Sequence, residues 1–119
     1  MKIYTSYYGN AKKLSANNVM LISISLMKPK WIKGHMHQVL DLAPNWSFLG
    51  KEHSDYKKLY FKKLDRIDWN DVRSRIEKAS EGKDVALCCF ESLKTEDWCH
   101  RTMLAEYIND KVGEEIITE

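Results

Sequence analysis

The stretch D-V-A-L-C-C-F-E at residues 84–91, followed by S-L-K-T-E-D-W at 92–98 and C-H-R-T-M-L-A-E-Y-I-N-D-K-V at 99–112, decides the fold. Its first eight residues are a short, nearly continuous apolar run, which predicts a strand buried on both faces. The next seven are polar and read as a loop. From residue 99 onward Met103, Leu104, Tyr107 and Ile108 recur at helical spacing, so a helix over 99–112 is expected, ended by Gly113. Residues 114–118, with Ile116 and Ile117, read as a short final strand at a sheet edge. Strand, helix and strand in that order make a crossover unit of a parallel sheet.

The rest of the chain fits around that unit. Residues 2–8 are β-branched and aromatic and stop at Gly9-Asn10, which predicts a first strand and a turn. V-M-L-I-S-I-S-L at 19–26 is a second buried strand, with Ser23 and Ser25 on one face at period two. The connection between them, with one helical turn expected at 12–15, is short for a parallel crossover, so the pairing of these two strands is left open. Two helices follow. One spans 54–67 with Ser54 as N-cap; the other spans 69–80, capped by Asp68 and closed at Glu81-Gly82. Residues 27–49 contain Pro29, Gly34 and Pro44 and read as loop with a helical turn near 37–40; Trp31, Trp46 and Phe48 make it an ordered cover. The expected fold is a single α/β domain over 1–119, a small three-layer α/β/α (Rossmann-like) arrangement with a mostly parallel sheet of about four strands.

Composition narrows the class. A chain of 119 residues builds one core without staples, and 44% hydrophobic with 30% charged residues excludes disorder. The formal charge of +2 is too balanced to argue for nucleic acid. No apolar run approaches the roughly 18 residues of a membrane-spanning helix. Three cysteines, with no apolar leader after Met1-Lys2, predict a reduced, cytoplasmic protein with free thiols.

In an open α/β sheet ligands bind beyond the carboxyl ends of the strands. Here those ends carry Ser6-Tyr7, Ser23 and Ser25, and Cys89-Phe90-Glu91, beside a helix start holding Cys99, His100 and Arg101. A helix start attracts anions, and Arg101 adds a planar fork suited to phosphate or carboxylate. A thiol there is expected to have a lowered pKa. Cys99 or Cys89 is then a candidate nucleophile, His100 a base or acid, and Glu91 its orienter. Each also has a plain reading: a buried cysteine as a small hydrophobe, His100 on a carbonyl, Arg101 in a structural ion pair. No metal or cofactor is expected, since no C-x-x-C, Walker loop or G-x-G-x-x-G is present.

M-K-I-Y-T-S-Y-Y-G-N at 1–10, I-S-I-S at 22–25, P-K-W at 29–31, L-A-P at 42–44, D-V-A-L-C-C-F-E at 84–91 and C-H-R at 99–101 before A-E-Y-I together resemble domain-of-unknown-function family no. 488. The resemblance covers nearly the whole chain. It implies an α/β fold with a Cys-Glu and Cys-His-Arg site and no agreed activity. The chain departs from the family pattern in lacking an arginine just after the second strand, where it has L-M-K at 26–28, and in placing Cys88 where an aliphatic residue is usual. Lys28 or Lys30 can take the arginine's place.

The function expected from the residues is binding of an anionic small molecule, a nucleotide or nucleotide-derived metabolite. Arg101 would hold the anion, Ser6, Tyr7, Ser23 and Ser25 would supply polar contacts, and Trp31 or Trp46 would stack on a base or sugar. Two alternatives stand beside it: a thiol-dependent hydrolase or transferase on a nucleotide or base using Cys99 or Cys89, His100 and Glu91, and a nucleic-acid-binding accessory protein. No membrane partner is expected.

Overall fold

A computed structural model of the chain describes residues 1–32, 36–90 and 99–118. Four strands, β1 (Ile3–Tyr7), β2 (Val19–Ser23), β3 (Asp84–Cys89) and β4 (Ile116–Thr118), form one sheet in the order β2-β3-β1-β4. All pairings are parallel. Among the described residues the α-helices are α1 (Ala11–Ala16), α2 (His53–Leu64), α3 (Trp69–Ser80) and α4 (His100–Tyr107). The three-layer α/β reading holds. The open question about the first two strands is answered by β3, which inserts between them. Residues 8–18, a single 3₁₀ turn and α1, therefore cross over the one strand between them.

The burial pattern explains the layers. β3 reads Val85 to Cys89 without an exposed side chain, because it lies between β2 and β1 and both of its faces are covered. Val85 and Leu87 face the larger core with Ile3, Ile22, Val72, Ile76 and Leu104. Ala86 and Cys88 face the opposite side, under Tyr8 and Leu14 of the α1 layer. α3 starts where expected: the Asp68 carboxylate accepts from the Asp71 backbone N–H at 3.4 Å. It ends with Glu81 at φ 53° and Gly82 at φ 82°, the left-handed close that a glycine makes easy. The N-cap of α2 is Glu52, two residues before the expected Ser54, and the helix stops at Leu64. α4 continues beyond Tyr107 as a wider i→i+5 turn over Ile108–Val112 before Gly113 at φ 84°.

The cover formed by residues 36–49 is tied down from α2. Tyr60 donates to the Leu42 carbonyl at 2.5 Å. The Lys63 ammonium reaches Ala43 O at 2.6 Å and Asn45 Oδ1 at 3.0 Å. At the sheet edge Ser23 accepts from Val39 N and donates to His37 O, so a short bridge shields β2 from further pairing. Of the aromatic residues expected to pack in this cover, Phe48 does so, edge-on to Tyr56 at 6.0 Å. Trp31 and Trp46 are 62% and 64% exposed.

Tyr107 joins α4 to the end of α2 by donating to Asp65 Oδ1 at 2.6 Å. Burial, then the adjacent Asp65 carboxylate, push its phenol up to about 12. A raised phenol stabilises the fold fully below its ordinary pKa near 10 and loses that contribution as pH climbs through 12. Tyr107→Phe is therefore expected to be less stable at neutral pH but to lose less stability between pH 10 and pH 12, as read from urea midpoints across that range. An unchanged alkaline slope would mean that this phenol does not titrate there.

Candidate functional site

The parallel register brings the strand ends together. Ser6 pairs with Cys88 on one side and Ser23 pairs with Cys88 on the other, so the three carboxyl ends form one row. The segment after β2 turns away here, residues 36–49 rise beside it, and α4 begins opposite. The space between them is a cleft of about 750 Å³, within the range of small-molecule sites.

The cleft has a basic rim, an apolar wall and a floor that holds a thiol and an imidazole. Lys28, Lys30 and Lys51 line its rim, and no Asp or Glu is among the described lining residues. Trp46, Leu49, Tyr56, Pro44 and Phe90 form the wall. Cys99 and His100 lie at the bottom, 3% and 7% exposed.

His100 is fixed by its neighbours. Its Nε2 lies 2.8 Å from the Ile24 carbonyl, which can only accept, so Nε2 carries the hydrogen. Tyr60 stands edge-on to the ring at 5.7 Å and holds its plane. The other nitrogen, Nδ1, is thereby turned toward Cys99 Sγ at 3.8 Å. Cys99 sits at the N-cap of α4 in extended conformation (φ −152°, ψ 157°), which throws its side chain back toward the end of β3. There its sulphur is 2.6 Å from Cys89 Sγ, and both thiols are buried. The expectation of a lowered pKa for Cys99 is not met. The hydrogen bond with Cys89 and burial raise it well above the ordinary thiol range, and His100 pulls it back by less. At rest Cys99 is a thiol, and it needs a proton acceptor to react.

The remaining expected site residues are placed in three ways. Ser23 and Ser25 do share a face, but both turn to the Tyr8 hydroxyl, at 2.7 and 2.5 Å, and Ser25 also donates to Met27 O at 2.6 Å. Ser25 lines the cleft, whereas Ser23 and Ser6 are buried away from its surface; Ser6 accepts from Asn10 Nδ2 at 3.2 Å. Arg101 is fully buried, donates to the Thr5 carbonyl at 3.3 Å and lies 5.9 Å from the centre of the Tyr7 ring. Neither Arg101, Tyr7 nor Trp31 is among the described lining residues. Glu91 lies outside the described residues.

Two contributors were not singled out from the sequence. Tyr8 is the hub of the hydroxyl cluster that shapes the turn after β2, and its phenol is pushed up by burial against the lowering effect of the two serines. An aromatic residue with a polar tip, one position past a strand end, was the available signal. Lys51 gave none, because it reaches the rim only when residues 36–51 fold over. For metal, Cys89, Cys99 and His100 bring one donor atom each within 4.8 Å of one another. The two sulphurs, however, are closer than the roughly 3.8 Å that two bonds of about 2.3 Å at a tetrahedral angle would set.

A family model described as DUF488-N3a, active DUF488-N3 subclade, matches residues 6–112. No curated protein and no solved structure matches the chain.

Proposed function

The chain belongs to the DUF488 family, and from that premise we propose that it binds an anionic small molecule, a nucleotide or nucleotide-derived metabolite, in the cleft at the strand ends. The observation that carries this reading is the composition of the cleft: three lysines on the rim, above an apolar wall that includes Trp46 and Phe90. Phosphate is matched by the lysines, and a flat base by the aromatic side chains. Where the family pattern has an arginine just after the second strand this chain has L-M-K at 26–28, and Lys28 or Lys30 can supply that charge. The anion site of this reading is the lysine rim rather than Arg101, whose guanidinium serves the interior.

Titration of a nucleoside, its monophosphate and its diphosphate, followed by Trp46 fluorescence and calorimetry, tests the proposal. Affinity is expected to rise with each phosphate and to fall with added salt. Equal affinity for nucleoside and nucleotide would remove the lysines from the reading. Tighter, salt-steep binding of an oligonucleotide would favour the nucleic-acid alternative.

A second reading is favoured by the set of His100. With Nε2 held by Ile24 O and Nδ1 turned to a thiol on the cleft floor, His100 can accept the Cys99 proton as the sulphur attacks a bound electrophile. This is the hydrolase or transferase alternative, and the word active in the family description, said of the subclade, is in keeping with it. Product formed by wild type and lost in Cys99→Ser, with ligand affinity retained, would establish it.

A further inference from the structure

Nucleotide binding makes no use of the second sulphur. Cys89 is fully buried at the end of β3, does not line the cleft, and points to the face of the sheet where α4 begins. Its sulphur lies 2.6 Å from that of Cys99, inside non-bonded contact for two sulphur atoms. Both residues are at the ends of their elements, Cys89 the last of β3 and Cys99 the N-cap of α4. A disulfide bond of about 2.05 Å needs the sulphurs to move by only a fraction of an ångström, whereas a shared metal ion needs them to part by more than that. Cys88 is excluded by strand geometry: it faces the α1 layer, with Sγ 3.5 Å from Ala86 O.

We propose that Cys89 and Cys99 are a dithiol–disulfide couple that reduces a small peroxide on the floor of the cleft. Cys99 is the attacking thiol, because it alone of the pair reaches the cleft surface. His100 Nδ1 takes its proton. The thiolate attacks one peroxide oxygen, a sulphur–oxygen bond forms, the oxygen–oxygen bond breaks, and the departing hydroxide takes the proton from His100 and leaves as water. Cys99 is then a sulfenic acid. Cys89 attacks that sulphur, a disulfide forms, the sulphur–oxygen bond breaks, and hydroxide leaves as a second water with the Cys89 proton. Two thiols and one hydrogen peroxide thus give one disulfide and two waters. A dithiol reductant reverses the change by exchange, and its own thiols become the disulfide. While the bond is closed, Cys99 cannot act as the nucleophile of the thiol-dependent reading, so the couple also sets when that chemistry is available.

The test uses hydrogen peroxide on the native full-length chain, then unfolding, alkylation and intact-mass and peptide analysis, for wild type, Cys88→Ala and Cys89→Ala. The expected result is a loss of two of the three alkylatable thiols in wild type, with a Cys89–Cys99 crosslink that also forms in Cys88→Ala and is removed by dithiothreitol. In Cys89→Ala a dimedone adduct should accumulate on Cys99 instead. A crosslink through Cys88 would overturn the proposal. So would a Cys99 that survives in the native chain under conditions that oxidise it in the unfolded chain, or a stoichiometric zinc ion that shields both thiols. If Cys89→Ala does not fold, wild type and Cys88→Ala decide alone. No nucleotide enters the experiment, so its failure leaves the ligand reading untouched, and the reverse holds as well.

Discussion

Arg101→Ala is expected to lower the free energy of unfolding by about 3 kcal/mol, within the range for removing a buried, hydrogen-bonded charge. The guanidinium is fully enclosed, donates to the Thr5 carbonyl at 3.3 Å and lies 5.9 Å from the Tyr7 ring centre. Burial raises the Cys88 thiol to about 12, with the Arg101 charge pulling against the rise. One side chain thus links the first turn of α4 to β1 and to the rear of β3. Truncation leaves those groups facing a cavity and loosens the helix that carries Cys99 and His100. For a domain of this size the loss corresponds to a fall in Tm on the order of 10 °C. Urea unfolding of wild type and variant measures it. A change below about 1 kcal/mol, together with a collapse of nucleotide affinity in a still-folded variant, would move the guanidinium from the core to the ligand.

Lys28→Glu combined with Lys51→Glu is expected to weaken binding of a nucleoside diphosphate by about 100-fold, equivalent to roughly 3 kcal/mol. The two lysines belong to different segments, one just after β2 and one just before α2, and the cleft lies between them. Both are exposed, so each contributes less than a buried cation would; reversing both signs replaces two attractions with two repulsions. Affinity for the uncharged nucleoside should stay within a few-fold, and so should stability, because neither lysine belongs to the buried core. Parallel titrations of nucleoside and diphosphate separate the electrostatic effect from a general loss of the site. Equal losses for both ligands would show that the variant had damaged the cleft rather than its charge.

How much of this was legible in advance depended on which interactions define each feature. β3 was legible because its burial on both faces leaves a local mark, an apolar run bounded by charged residues. α3 was legible for the same kind of reason: its cap at Asp68 and its close at Glu81-Gly82 are short-range chemistry written next to the helix they end. The boundary of α2 was missed because Ser54 has a capping side chain while the backbone turns at Glu52, and the cover packed on that end decides between them. The cluster of Cys99 and His100 was picked out as a unit because the two are neighbours in sequence at a helix start. Cys89 was placed near them by the rule that strand ends converge.

The roles of Arg101 and Ser23 were not legible, because a side chain's direction depends on neighbours far away in the chain. Arg101 at a helix start is as suited to an exposed phosphate as to a buried carbonyl, and it turned inward to Thr5, 96 residues away. Ser23 and Ser25 were available for a ligand until Tyr8 filled the space between them. The raised pKa of Cys99 has the same origin: His100 acts locally to lower it, but the contact with Cys89 and burial are tertiary and outweigh it.

By itself the sequence determined the α/β class, the two long helices, the buried strands and the stretch holding the thiol–imidazole pair. Hydrophobic periodicity, caps and turns are properties of neighbouring residues, so they can be read along the chain. Only the tertiary structure decided that β3 separates β1 from β2, that the lysines rather than Arg101 rim the cleft, and that Cys89 and Cys99 meet. Strand order and side-chain direction are settled by which distant surfaces bury best against one another, and adjacent residues carry no record of that choice.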